Sequence, residues 1–287
     1  MKPLQTIVTT SRYPTPQMQT RAWQLAKRFQ CPYATRFRKT MADFLQKAEV
    51  VYMVGKGGRD KLYEYNGHQP FFFHPSMAKI RVQRLMAGEV DVLISAAGLR
   101  PGTTFLDMTL GFGADSIVAS YAVTASGCVT AVEKNPYIAE VVARGLHCHQ
   151  EDVEALNEAM RRISVVQQDH HAYLQSVPAN SFDVVYFDPM FSHARMHSAH
   201  IEPLRAFADT GSLHEAVIEE AKKVAKHNVV LKAERDSPLF ERFRFHNVRK
   251  HRTVSYGTMH MGGGQEDEET GNCDRRADGG GENVGRH

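Results

Sequence analysis

No apolar run in the chain approaches the roughly 18–20 residues that span a bilayer, so a membrane-embedded protein is not expected. The opening stretch "MKPLQTIVTTSRYPTPQ" is too weakly apolar for a secretory signal. A cytoplasmic protein is the expectation. The four cysteines, Cys31, Cys128, Cys148 and Cys273, are scattered with no Cys-x-x-Cys pair. That spacing suggests neither a zinc knuckle nor a disulfide framework, and leaves reduced, structural thiols. There is no Gly-x-Ser-x-Gly elbow, so hydrolase chemistry has no support. "GKGG" at Gly55–Gly58 lacks the Walker spacing and reads as a plain turn.

What is present is the composition of a globular protein: 42% hydrophobic and 23% charged over 287 residues. That length fits one large domain, or one domain with a smaller appendage. Charge is unevenly spread. Residues 262–287 carry seven acids against three arginines, a net of −4, which leaves +7 on residues 1–261 of a chain whose total is +3. A basic body is compatible with a polyanionic partner. The Gly-rich acidic tail has too little apolar surface to offset ordering entropy and is expected to be disordered.

Patterning divides the rest. Over residues 1–75, short strands at Thr6–Thr10 and Val50–Val54 and helical spacing at Gln17–Phe29 and Ala42–Ala48 predict a small α/β region. In the first helix Trp23, Leu25, Ala26 and Phe29 supply the apolar positions. Asn66-Gly67 between two apolar segments predicts a hairpin. Ser76 is placed to cap a helix to about Met86, with Met77, Ile80, Leu85 and Met86 along one side. A further helix, Val90–Ala97, ends at Gly98. From residue 103 strands and helices alternate: "TTFLDMT", "CVTAVEK", "SVVQQD", "FDVVYFD" and "NVVLKA" are the strands, and a closing hairpin follows. Alternation of this kind predicts a mostly parallel sheet covered on both faces, which binds ligands at the carboxyl ends of its strands. The expected division is therefore 1–75, a substrate-recognition region; 76–261, the main domain; and 262–287, the tail.

Those strand ends carry acids in succession. "LDMTLGFGAD" has Gly111 and Gly113, which let the backbone turn tightly and approach a ligand. A dinucleotide fingerprint needs a third glycine where Ser116 stands, and Asp107 and Asp115 would repel a pyrophosphate. A ligand with sulfonium and ammonium charges, S-adenosylmethionine, suits them better. Glu133 in "AVEKNP" is placed to accept from ribose hydroxyls, and Asp169 in "QQDHH" from an adenine amino group. The competing reading makes these acids helix N-caps.

The fourth strand end, "VVYFDPMF", sets Asp188 directly after a buried strand and before a proline. Burying a carboxylate is costly unless it is paired. An exocyclic amine is a poor nucleophile because its lone pair is delocalised. An acceptor at Asp188 aimed at its N–H would turn that lone pair toward a methyl group, Pro189 would fix the backbone, and Phe191 would offer a stacking face. A base entering such a pocket must be unstacked. The plain alternative is a strand cap with Phe191 in the core.

With these residues the chain resembles the class I methyltransferases, and more narrowly the RsmJ-type small-subunit ribosomal RNA guanine-N2 methyltransferases. That family's Asp-x-Thr-x-Gly-x-Gly-x-Asp is met by Asp107, Thr109, Gly111, Gly113 and Asp115. "EKNP" at Glu133–Pro136 has Lys134 for the family's Arg, and "FDPMFS" has Ser192 for its final Pro. "VVLK" at Val229–Lys232 and "MAKIR" from Met77 also align. The resemblance covers roughly residues 70–260; the first sixty-odd residues depart from the family. It implies a Rossmann-like seven-stranded sheet and cofactor contact at Ala114-Asp115, Glu133-Lys134, Asp169-His170 and Asp188.

The expected activity is methyl transfer from S-adenosylmethionine to a nucleobase amine, guanine N2 in ribosomal RNA or the small subunit. The alternatives are adenine N6, a protein amide, or a non-catalytic RNA-binding or ribosome-assembly protein. His193, His197 and His200 have helical spacing but no acidic or thiol partner to complete a metal site, so no metal is expected. Arg195, Arg205, Arg249, Lys250 and Arg252 are read either as phosphate contacts or as a solvated surface.

Overall fold

The computed structural model describes residues 5–65, 69–189, 213–250 and 253–261. The first sheet is built from β1 (Thr6–Thr10), β2 (Val50–Val54), β3 (Lys61–Glu64) and β4 (Phe71–Phe72), side by side in that order. β1 and β2 run parallel with Thr6 opposite Val50, and the remaining pairs are antiparallel. A parallel pair needs a crossover, which here holds α1 (Pro16–Arg28) and α2 (Met41–Leu45). Thr15 caps α1 by accepting the Met18 N–H at 3.3 Å, and Pro16 occupies the first turn. α1 buries Met18, Ala22, Leu25 and Ala26 but leaves Trp23 61% exposed, contrary to the expectation that Trp23 joins the apolar side. One residue of helical rotation beyond Ala22 takes Trp23 off that face. α2 stops at Leu45, short of Ala48. β3 and β4 pair with Lys61 opposite Phe72, as a hairpin requires; the Asn66-Gly67 turn itself lies outside the described residues.

The second sheet contains β5 (Thr104–Asp107), β6 (Cys128–Glu133), β7 (Ile163–Gln167), β8 (Phe182–Phe187), β9 (Ala225–Glu234), β10 (His246–Lys250) and β11 (Val254–His260). Its order is β10-β11-β9-β8-β5-β6-β7, and the pairings among β5 to β9 are all parallel. The β10–β11 and β11–β9 pairings at one edge are antiparallel, so β11 runs against the other strands. This is the mostly parallel seven-stranded, Rossmann-like sheet expected. Its central strands are apolar on both faces because helices cover both. α3 (Ser76–Met86), α4 (Val92–Ala97), α5 (Ala114–Val123), α6 (Pro136–Cys148), α7 (Glu154–Arg161), α8 (His170–Ser176) and α9 (Glu215–Val224) supply that cover.

Two readings of α3 need correction. Ser76 is its first residue and Pro75 precedes it without a side-chain cap. The helix buries Ala78 and Val82 at four-residue spacing, while Met77, Ile80 and Met86 are 60%, 47% and 56% exposed. α7 and α8 are too short for their periodicity to stand out in the sequence. Among the described residues no helix is long and apolar enough to cross a membrane.

The two sheets share one core, with α6 between them. Tyr52, Leu62 and Phe71 from the first sheet cluster with Ile138, Val142 and Leu146 of α6. A Cβ on Gly145 would lie 2.1 Å from the Phe73 ring, so only glycine lets that ring seat against the helix. Arg21 reaches Asp60 and Glu140, each at 2.7 Å, and Thr6 Oγ1 lies 2.9 Å from the Tyr137 hydroxyl.

Candidate active site

β5 and β8 are neighbours, so the loop after one and the Asp-Pro after the other leave the sheet together. Gly111 (φ 50°) and Gly113 (φ 76°) take left-handed backbone conformations that favour glycine. The loop is pinned from inside by Asp107. Its Oδ1 accepts the Thr109 N–H at 2.9 Å, and its Oδ2 accepts the Ser116 hydroxyl at 2.5 Å. Burial pushes the Asp107 carboxyl up to about 7 against those hydrogen bonds, and the nearby charges of Asp115 and Asp188 push the same way.

Thr109 joins the two strand ends. Its hydroxyl accepts the Asp188 N–H at 2.7 Å and lies 3.3 Å from Asp107 Oδ1, to which it donates. Asp188 thus sits beside the glycine loop.

Beneath this junction lies a buried ionic cluster. Period-two alternation puts Tyr186 and Asp188 on the same face of the sheet. Lys232, one residue past the Phe187–Leu231 pairing, reaches them from β9. Its Nζ lies 2.6 Å from Asp188 Oδ2 and 2.8 Å from Asp115 Oδ2. Asp115 also accepts the Tyr186 hydroxyl at 2.8 Å and a guanidinium N–H of Arg81. Arg81 in turn grips Asp91, the N-cap of α4, through two hydrogen bonds of 2.8 and 2.9 Å. Two cations therefore face three carboxylates.

The titrations follow from that imbalance. Burial opposes charge on Asp115, but Lys232 and Arg81 hold its carboxyl well below the usual range. Burial raises the Asp188 carboxyl, Lys232 works against the rise, and Asp115 adds to it. The Lys232 ammonium stays charged despite burial because both carboxylates face it. Asp188, about a quarter exposed, is the member of the cluster nearest solvent in charge and position.

At the next strand ends, Glu133 Oε1 accepts the Asn135 N–H at 2.8 Å, and Asn135 caps α6. Asp169 caps α8 through the His171 and Ala172 N–H groups at 3.0 and 3.2 Å, so the helix-cap alternative holds for this residue. Its second oxygen faces Lys134 Nζ at 3.3 Å. Burial opposes ionisation there, yet the Ala172 hydrogen bond and Lys134 lower the carboxyl. His170 is the first residue of α8 and Ala114 the first of α5. Glu133-Lys134 and Asp169-His170 are thus brought together across β6 and β7. The side chain of Asp115, by contrast, points into the cluster, with both oxygens engaged and only 9% of the residue exposed. Pro189 is half-buried beside Asp188. Phe191, the 193–200 histidines, Arg195, Arg205, Arg252 and the tail lie outside the described residues, whereas Arg249 and Lys250 lie on exposed β10, Lys250 paired with Asp236 at 2.9 Å.

Arg81, Thr109, Tyr186 and Lys232 were not among the site residues expected from sequence. A lysine ending the apolar run "VVLK" is the same signal as an aspartate ending "VVYF", and it points to the same sheet end.

Residues 71–257 match a family model described as "Putative SAM-dependent methyltransferase". The chain belongs to this methyltransferase family. Among relatives of the methyltransferase, an uncharacterized Bacillus subtilis protein, YpiP, is 43% identical over 87% of this chain and 96% of its own length. "Ribosomal RNA small subunit methyltransferase J" of Dechloromonas aromatica is 29% identical over 67% of this chain and 80% of its own. The fold matches that of a SAM-dependent methyltransferase from Neisseria gonorrhoeae, with a TM-score of 0.58 at 16% identity, covering 90% of this chain and 97% of the other.

S-adenosylmethionine is the methyltransferase's cofactor, and the donor set fits it. The strand ends present carboxylates, and the cluster beneath them is one positive charge short, which suits a sulfonium and an ammonium group better than a phosphate.

Proposed function

We propose that the protein methylates the exocyclic amine of a nucleobase, guanine N2 in small-subunit ribosomal RNA. The observation that carries this reading is Asp188, held by Lys232 and Thr109 beside the glycine loop. Two named small-subunit ribosomal RNA methyltransferases, those of Dechloromonas aromatica and Actinobacillus succinogenes, are 29% and 34% identical over 67% and 45% of this chain, which supports the RNA substrate.

The bound cofactor supplies an electrophilic methyl group on a sulfonium. The chain's own residues do the positioning. Ala114, Glu133, Lys134, Asp169 and His170 would hold the cofactor from the strand ends, with Glu133 an acceptor for ribose hydroxyls and Asp169 for the adenine amino group. Asp107 holds the loop's shape, and Asp115 acts through Lys232. The Asp188 oxygen that does not bond Lys232 would accept an N–H of the amine, so that the nitrogen lone pair faces the methyl group. The N–C bond would form as the methyl–sulfur bond breaks, its electron pair returning to the sulfur of the departing neutral thioether, and the nitrogen would shed a proton to Asp188, whose burial-raised carboxyl is suited to receive it and pass it to water. Lys232 holds the carboxylate in place through both states. Pro189 limits the backbone at that point, and Phe191 follows as the stacking face for the unstacked base.

Tritium from methyl-labelled cofactor, traced into nucleosides of small-subunit RNA from cells lacking the gene, tests this. N2-methylguanosine is the expected product. Label in N6-methyladenosine or protein, or RNA binding without transfer, overturns the assignment.

A further inference from the structure

The first sheet brings a row of rings to the edge of the glycine loop. Phe72, on edge strand β4, is 40% exposed between Phe71 (0%) and Phe73 (8%), which turn inward. Its ring lies 5.4 Å from that of His74, and His74 lies 5.2 Å from Phe112, the residue between Gly111 and Gly113. Phe71 backs Phe112 at 4.9 Å from the core side. At the far end, Lys61 Nζ sits 5.3 Å from the Phe72 ring centroid. The row therefore runs from a cation on β3, over exposed Phe72 and half-buried His74, to half-buried Phe112 in the cofactor loop.

An exposed phenylalanine on a two-residue edge strand contributes little to the fold, and a lysine above it keeps that surface hydrated. Charge gives the row its partner. Residues 1–75 hold twelve Lys and Arg against four Asp and Glu, a net of +8, while residues 76–261 hold twenty against twenty-one. The basic character of the body thus belongs to the unit that bears the row. The same unit also holds Tyr13, Trp23, Phe37 and Tyr65, the other exposed aromatics among the described residues. Rings for bases and cations for phosphates are the two requirements of a single-stranded nucleic acid site.

We propose that Lys61, Phe72, His74 and Phe112 form a track for the unpaired RNA strand that leads to the target base. Bases flanking the target stack on Phe72 and His74, Lys61 meets a phosphate, and Phe112 delivers the strand at the glycine loop. The track rests on the RNA-substrate reading above, and it gives residues 1–75 their part in substrate recognition.

The test is binding of a short, unstructured, fluorescently labelled RNA oligonucleotide to the full chain, with wild type, Phe72→Ala, Phe72→Tyr and Lys61→Glu. Thermal melting and S-adenosylmethionine calorimetry run beside it. Loss of one stacked base is worth about 1–3 kcal/mol. Phe72→Ala should therefore weaken RNA binding roughly 5- to 150-fold, Phe72→Tyr should restore it, and neither should move cofactor affinity or melting. Lys61→Glu should reduce the slope of log affinity against log salt by about 0.7 or more for the lost phosphate contact. Wild-type affinity in both Phe72→Ala and Lys61→Glu, or equal losses on a duplex of the same sequence, overturns the track. RNA that binds along it while wild type transfers no methyl group sinks the methylation reading instead, so the two failures are distinct.

Discussion

Replacing Lys232 with methionine removes the one cation that Asp188 and Asp115 share while keeping an unbranched stem of similar length. Asp115 retains Arg81 and the Tyr186 hydroxyl; Asp188 loses its 2.6 Å partner. Breaking a buried pair by removing one partner costs about 3–5 kcal/mol. Asp188 is about a quarter exposed, and Asp115 keeps a cation, so about 2–3 kcal/mol is expected here. The pH dependence separates this cause from lost packing. With Lys232 gone, burial raises the Asp188 carboxyl further above its unfolded value. The folded variant then holds a proton that the unfolded chain has released, and stability falls as pH rises through that window, by about 1.4 kcal/mol per unit. Urea denaturation followed by circular dichroism should show a small deficit near about pH 5 and the full deficit near about pH 8. Adding Asp188→Asn should recover most of the loss at the higher pH. A deficit equal at both pH values, with no recovery in the double variant, would refute the charge argument and leave only a packing defect.

Asp188→Ala should abolish methyl transfer to ribosomal RNA, a loss of about 100-fold or more, with the melting temperature kept at or above wild type, since it removes a carboxylate whose raised titration marks it as a cost; wild-type turnover would remove its proposed role. Asp107→Asn should flatten the stability profile: the wild-type carboxyl, raised to about 7, makes the folded state lose stability as pH climbs from about 4 to about 7, and denaturation midpoints across that range read the difference. Gly145→Ala should destabilise by about 1–3 kcal/mol through overpacking against Phe73, and limited proteolysis should then cut more readily within residues 5–65 than within the second sheet.

The sheet was legible because each central strand is a short apolar run closed by a polar residue and followed by a helix, a pattern that survives without knowledge of contacts. Asp107, Glu133, Asp169 and Asp188 were found as strand ends for the same reason. What their carboxylates touch was not legible. Asp115 reads as a loop acid facing ligand, yet Arg81 lies 34 residues earlier and Lys232 117 residues later, and only the folded sheet shows that they neutralise it. Trp23 and the methionines of α3 failed for the opposite reason: apolar residues at nearly helical spacing were assigned to the core, while smaller neighbours, Ala22, Ala78 and Val82, took the buried positions. Small residues pack helices close to a sheet, and a hydrophobic count weighted by size misses them.

The ionic cluster also bears on why the chain keeps charge at this place. A buried set of two cations and three carboxylates is no aid to stability by itself, because well-packed apolar residues of the same volume commonly do as well or better. The neighbouring strands show that this sheet makes such packing readily: Val184, Tyr186 and Val230 on the same face are fully or nearly fully buried. The charge of this cluster therefore enters just past the end of β8, at Asp188 and its neighbours, where the parallel strands open to the cofactor loop. Thr109 ties that residue to the loop, and Lys232 ties it to the cluster. An anchor on the Asp188 backbone from the loop after β5 and one on its carboxylate from β9 fix that residue more narrowly than either alone, and fixing an acceptor is what an amine with a delocalised lone pair demands. The cost in stability and the placement at the sheet's open end have the same explanation.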